Sequence, residues 1–197
     1  MFHQYTSKDF DFVPMKSIPI NSERYYLLKD WISSMTDSED NENGCDFWTW
    51  IENNNELSKS DSTNLLNTFF LFLSNDRNRV IATGSIVSDD RDMGKKLQLE
   101  DGIWIGGVNV HRDFRGKSIG TIFVEYLDNY IQQTIDKDTM VYLFTNNTQA
   151  KRIYKRYQFQ SKGFIHDESI NTQQNESDEL NELFAKCYRA GTYVGNQ

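Results

Sequence analysis

The chain has 197 residues, a length that fits one domain. A chain of that size buries roughly 70% of its unfolded surface and needs no disulfide or metal to fold. Hydrophobic residues make up 38% and aromatics 14%, which excludes an intrinsically disordered chain. Twenty-nine acids against 21 bases give a net charge of -8, so bulk attraction to phosphate does not drive its binding.

The first twelve residues, MFHQYTSKDFDF, show no apolar core behind a basic start, so no signal peptide is expected. The longest apolar run, Phe69 to Leu73, cannot cross a bilayer. Cys45 and Cys187 are far apart and read as free thiols of a reducing cytoplasm. His3, His111 and His166 lack zinc-ligand spacing, so no metal is expected.

Phe10 to Met15 alternates as a short strand does. Asn21 and Ser22 offer an N-cap to a helix whose Tyr25, Leu28, Trp31 and Ile32 share a face. Thr36 to Asp46 is an acidic loop, and Asp46 is placed to cap a short helix holding Phe47, Trp48, Trp50 and Ile51. After a polar loop at Asn53 to Asn64, strands are expected at Thr68 to Ser74 and Arg79 to Val87, hinged on Asn75 to Asn78.

A charged connection, Ser88 to Lys96, leads to a strand at Gly102 to Val110. Ser118 to Thr134 is an amphipathic helix with Ile119, Ile122, Phe123, Tyr126, Leu127, Tyr130 and Ile131 on its apolar stripe. Met140 to Thr145 reads as a buried strand. Thr148 to Tyr157 is a helix with Ala150, Ile153, Tyr154 and Tyr157 inward and Lys151, Arg152, Lys155 and Arg156 outward. Phe159 to Ile165 and Leu183 to Ala190 form a last strand pair around a polar loop, His166 to Glu182, with six acids and no base. This order lacks strict βαβα alternation, so the expected fold is a mixed α/β (α+β) sheet with helices on both faces, in one domain over residues 1–197.

The most informative stretch is Trp104 to Leu127. An apolar strand ends in a polar turn, then Arg115-Gly116-Lys117-Ser118-Ile119-Gly120 opens a helix. Backbone N–H groups at a helix start, with the positive end of its dipole, make a cradle for an anion. Arg115 and Lys117 add charge, and the two glycines permit tight geometry. A Walker A loop is excluded because position 111 is His where it needs Gly, and no G-x-G-x-x-G run exists for a dinucleotide.

Arg115-x-x-Ser118-x-Gly120 after a strand resembles the acetyl-CoA motif of the GCN5-related N-acetyltransferase (GNAT) family. About thirty residues on, Asn147-x-x-Ala150-x-x-x-Tyr154-x-x-x-x-Phe159 is similar to that family's second motif. Ser118 and Gln158 stand where the family usually has Gly. The resemblance implies a central, mostly antiparallel mixed sheet flanked by helices, acetyl-CoA as acyl donor and direct attack by a primary amine. It further implies backbone contacts to the acetyl and pantetheine groups from Val108, Asn109 and Val110. Arg115, Gly116, Lys117, Ser118, Ile119, Gly120 and Thr121 would hold pyrophosphate, and Asn147 the pantetheine arm. Tyr154 is the candidate acid toward sulfur, and Glu100 and Asp101 are the local carboxylates for a base, since Gly102 falls near the family's Glu. Acids and aromatics around residues 37–50 and 166–182 suit a cationic amine. The resemblance also implies a homodimer. The alternatives are a CoA-binding module without turnover, and an interaction module using the basic face for nucleic acid.

Overall fold

The computed structural model describes residues 5–35, 49, 51–52, 66–88, 93–135, 138–165 and 181–188. Its elements are β1 (Phe10–Pro14), α1 (Glu23–Met35), β2 (Asn67–Leu73), β3 (Asp76–Val87) and α2 (Met93–Lys96). There follow β4 (Gly102–Val110), α3 (Ile119–Thr134), β5 (Met140–Thr145), α4 (Thr148–Arg156), β6 (Gln160–Ile165) and β7 (Asn181–Cys187). The strands form one seven-stranded sheet in the order β1-β2-β3-β4-β5-β7-β6. The β4–β5 pair is parallel, whereas β1–β2, β2–β3, β5–β7 and β6–β7 are antiparallel. The expected mixed, mostly antiparallel sheet with flanking helices is the fold observed. The chain divides into two compact units, residues 1–88 with 105–134, and 89–104 with 135–197.

In the first unit, neighbouring residues of β2 point to opposite faces, and each face takes a helix. Phe70 and Phe72 join Leu28 and Ile32 of α1 in a core with Met15, Ile18, Tyr25 and Val80. Ser22 Oγ accepts the Tyr25 N–H at 3.2 Å and caps α1, as the sequence suggests. On the other face Phe69 meets Tyr130 of α3 edge-on at 4.7 Å. Phe12 lies stacked between Phe69 at 4.8 Å and Tyr126 at 4.9 Å. A side chain at Gly84 would put its Cβ 2.6 Å from Phe123, so glycine lets α3 settle onto β3.

The hairpin differs from its sequence reading. Leu73 pairs with Asp76, so Ser74 and Asn75 alone make the turn and β3 starts three residues before Arg79. A two-residue turn matches strand twist, and polar residues suit a strand tip outside the core. Ile51 is fully buried. Phe47, Trp48 and Trp50, with the acidic stretch 36–46, lie outside the described residues, as do Cys45 and positions 166–180.

In the second unit, Gly102 to Trp104 of β4 pair with Met140 to Tyr142, and β5 pairs along its length with β7. A Cβ at Gly102 would meet the Met140 carbonyl oxygen at 2.5 Å. The place near which family members carry a Glu therefore has no room for a side chain. The Ser88 to Lys96 connection contains a turn of helix, α2, with Met93 and Gly94 buried. Strand β7 begins at Asn181 rather than Leu183, which moves Glu182 from the expected loop into the sheet. Among the described residues no cluster of His, Cys, Asp or Glu is placed to hold a metal, and no helix is long and apolar enough to cross a membrane.

Candidate active site

The first unit carries the candidate anion cradle. Strand β4 contains Gly107 at φ +61°, a left-handed kink that glycine adopts without strain. Val108 packs over Gly84, and Asn109 and Val110 follow it half-buried. The strand is tied off where the His111 N–H donates to Ile81 O at 2.8 Å. His111 Nδ1 then accepts the Asp113 N–H at 3.2 Å, which fixes its neutral tautomer as Nε2–H and starts a 3-10 turn at Arg112–Phe114.

Both cradle bases fold back on the chain. Arg115 donates through Nε to Val110 O at 3.0 Å and through Nη2 to Asn109 Oδ1 at 3.4 Å. Lys117 Nζ donates to Asp113 O at 2.8 Å and lies over the Phe114 ring. They act first as staples that close the loop onto the strand, and their charge stays beside it. Gly116 at φ +75° and Ser118 at φ +62° alternate with Lys117, a backbone pattern that turns successive N–H groups outward. Ser118 accepts the first helical bond, from Ile122 N. Helix α3 begins directly after this turn, at Ile119, so the positive end of its dipole lies beside it. Gly120 itself has ordinary helical backbone.

The second unit carries Asn147 and Tyr154. Asn147 is exposed and caps α4, its Oδ1 accepting the N–H groups of Gln149 at 2.9 Å and Ala150 at 3.0 Å. The cap uses only Oδ1, the acceptor half of the amide. Helix α4 ends in a Schellman motif. Phe159 N–H bonds Tyr154 O, Gln158 N–H bonds Lys155 O, and Gln158 takes φ +67°. The motif's hydrophobic contact is the Tyr154–Phe159 pair, with ring centroids 5.7 Å apart. Tyr154 also packs on Phe184. Burial pushes its phenol well above the ordinary value of 10, so it keeps its proton at every working pH.

Glu100 and Asp101 are exposed and precede β4 where it pairs with the N-terminal end of β5. Asn147 follows the other end of β5, about 17 Å along the strand at 3.3 Å per residue. The structure does not bring these carboxylates to Asn147. The buried carboxylate at the Asn147 end is Glu182, opposite Thr145. Lys151 and Lys155 approach it at 3.7 and 3.4 Å. Lys151 is therefore not on the solvent face where the helical stripe put it. Sequence reasoning missed Glu182 because five loop acids precede it, yet it lies two residues before Phe184, on the same face of the strand.

A seven-stranded mixed sheet with flanking helices and a tight glycine-containing turn between β4 and α3 places the chain in the mixed α/β class. The family model of the acetyltransferase (GNAT) family matches residues 22–159, and the chain belongs to that family. The fold is similar to that of a protein from Bordetella pertussis placed in the GnaT acetyltransferases, with TM-score 0.63 and 9% identity over 84% of this chain and 90% of that one. It is also similar to a GNAT-family acetyltransferase from Streptococcus pneumoniae, at 0.56 and 14% over 90% and 98%. An acetyltransferase from Streptococcus agalactiae gives 0.51 and 11% over 91% and 99%. No curated protein matches the sequence.

Proposed function

We propose that the protein transfers an acetyl group from acetyl-CoA to a primary amine by direct attack on the thioester. Family membership supports acyl transfer from an acyl-CoA. The observation that carries the reading is the pair of left-handed residues, Gly116 and Ser118, at the entry to α3. Left-handed residues in such a turn favour a nest of backbone N–H donors, as a pyrophosphate requires.

In this reading residues Arg115 to Thr121 hold the pyrophosphate, and β4 offers backbone groups at Val108, Asn109 and Val110 to the acetyl and pantetheine amides. The Asn147 NH2 group donates to the pantetheine arm. Tyr154, kept protonated by burial, donates to the sulfur as the C–S bond breaks. Full transfer of its proton to a thiolate of ordinary pKa about 8.5 runs uphill, so its part is a hydrogen bond that strengthens as sulfur gains charge. Glu100 and Asp101 lie at the far end of β5 from Asn147, so the amine proton leaves to water, or the amine arrives neutral. A cationic acceptor, a homodimer and a cytoplasmic setting belong to the same proposal.

The exposure of Glu100 and Asp101 favours a second reading, a CoA-binding module without turnover. Isothermal titration with acetyl-CoA decides the first step. Micromolar binding that Gly120→Trp abolishes, with its melting curve intact, supports the cradle; no binding by the wild type refutes it. Thiol release from acetyl-CoA with a panel of amines then separates enzyme from module.

A further inference from the structure

Helix α4 carries Asn147 and Tyr154 but has only nine residues, too few to hold its own shape or orientation in water. Its caps fix the ends and say nothing of its rotation about its axis. That rotation decides where the Tyr154 hydroxyl points.

One carboxylate meets the helix on both sides of Tyr154. Glu182, on β7, has a side chain only 8% exposed. Its Oε2 faces Lys151 Nζ at 3.7 Å and its Oε1 faces Lys155 Nζ at 3.4 Å. These ammoniums are one helical turn apart, three residues before Tyr154 and one after it. The bulge in β6 between Ser161 and Gly163 sets Phe164 opposite Glu182, and the Ser161 hydroxyl donates to the same carboxylate. Lys151 and Lys155 also lie over the rings of Phe164 and Phe184. So α4, β6 and β7 converge on Glu182, two residues along the strand from the Phe184 ring that supports Tyr154.

We infer that Glu182 is a positioning residue: through Lys151 and Lys155 it locks the rotation of α4 and so aims Tyr154 at the reacting thioester. This rests on the catalytic role proposed for Tyr154. The Ser161 hydrogen bond and the two ammoniums hold the Glu182 carboxyl below its ordinary value, against the opposing effect of burial, so the lock stays ionised throughout the neutral range. Because both Glu182 and Lys151 are largely enclosed, salt screens the contact weakly.

The test is a double-mutant cycle read in steady-state kinetics. Thiol release from acetyl-CoA is followed with spermidine, or with the best amine of the panel if spermidine is not taken. Glu182→Gln keeps the volume and loses the charge. The expected result is a kcat lower by about 10- to 100-fold, the cost of a misplacement of about 1 Å. KM for acetyl-CoA should change less than about threefold, since uniform binding is untouched. Tyr154→Phe with Glu182→Gln should be no slower than Tyr154→Phe alone, because residues acting through one group do not add. Lys151→Gln with Lys155→Gln should reproduce the loss from the helix side and covers the case in which Glu182→Gln does not fold.

Full kcat in both folded variants, or losses that add to that of Tyr154→Phe, would overturn the inference and leave the role of Tyr154 standing. An unchanged kcat in Tyr154→Phe, or no thiol release by the wild type with any amine, would overturn both.

Discussion

Ser118 and Gln158 are the two departures from the family's glycines, and both carry positive φ, at +62° and +67°. The left-handed region costs a residue with a Cβ about 1–2 kcal/mol, and only glycine enters it freely. The family's preference is therefore a backbone requirement at both places, and this chain meets it with strain. Ser118→Gly and Gln158→Gly should each stabilise by about 0.5–1 kcal/mol, after the greater entropy of an unfolded glycine is subtracted. That raises Tm by about 1–4 °C for a chain of this size, and the two should add because they share no partner. Only Ser118→Gly should tighten acetyl-CoA in titration, since a side chain leaves the cradle. Melts in which neither variant gains stability would contradict this account of the strain.

Helix α4 shows what an element needs when propensity alone cannot hold it. Asn147 satisfies two orphan donors at its start and the Schellman motif satisfies the carbonyls at its end. Asn147→Ala should cost about 1 kcal/mol by chemical denaturation. Asn147→Asp should cost less than about 0.5 kcal/mol, because a carboxylate accepts the same two N–H groups and suits the helix's positive end. Both lose the NH2 donor, so both should weaken acetyl-CoA binding by a similar factor. Full affinity in Asn147→Asp would limit Asn147 to capping. Most elements were legible at this level because periodicity and caps are local. Tyr25, Leu28 and Ile32 marked α1, and the stripe from Ile119 to Ile131 marked α3. The start of β7 was hidden because Glu182 looks like loop chemistry until three partners from α4 and β6 surround it. The end of the hairpin was hidden because Asp76 and Asn78 read as turn formers, while register with β2 decided the turn.

At the scale of the molecule, sheet order was beyond local patterns: nothing in β5, β6 or β7 says that β7 lies between the other two. The candidate cradle was readable because its chemistry sits in one contiguous run, Arg115 to Thr121. The Glu182 lock joins residues about thirty positions apart and needed the fold to appear. It also takes charge from the basic face, since two of the four bases there pair with Glu182 in a chain of net charge -8. That carboxylate gives the molecule a defined response to acid. Its pKa in the fold lies below the ordinary 4.5, held down first by the Ser161 hydrogen bond. Glu182 thus contributes stability that is fully present above about pH 4.5 and is lost as pH falls through the folded value. At pH 7 Glu182→Gln should be less stable by about 2–3 kcal/mol, below the range for a fully enclosed pair because Lys155 is 56% exposed. Other carboxylates titrate alike in both proteins, so the difference between their urea midpoints isolates this one group. The gap should be constant from pH 7 to about 5 and narrow as pH falls below 4.5 and through the lowered folded value. A gap that keeps its full size as pH falls well below 4.5 would show that Glu182 contributes through packing rather than charge.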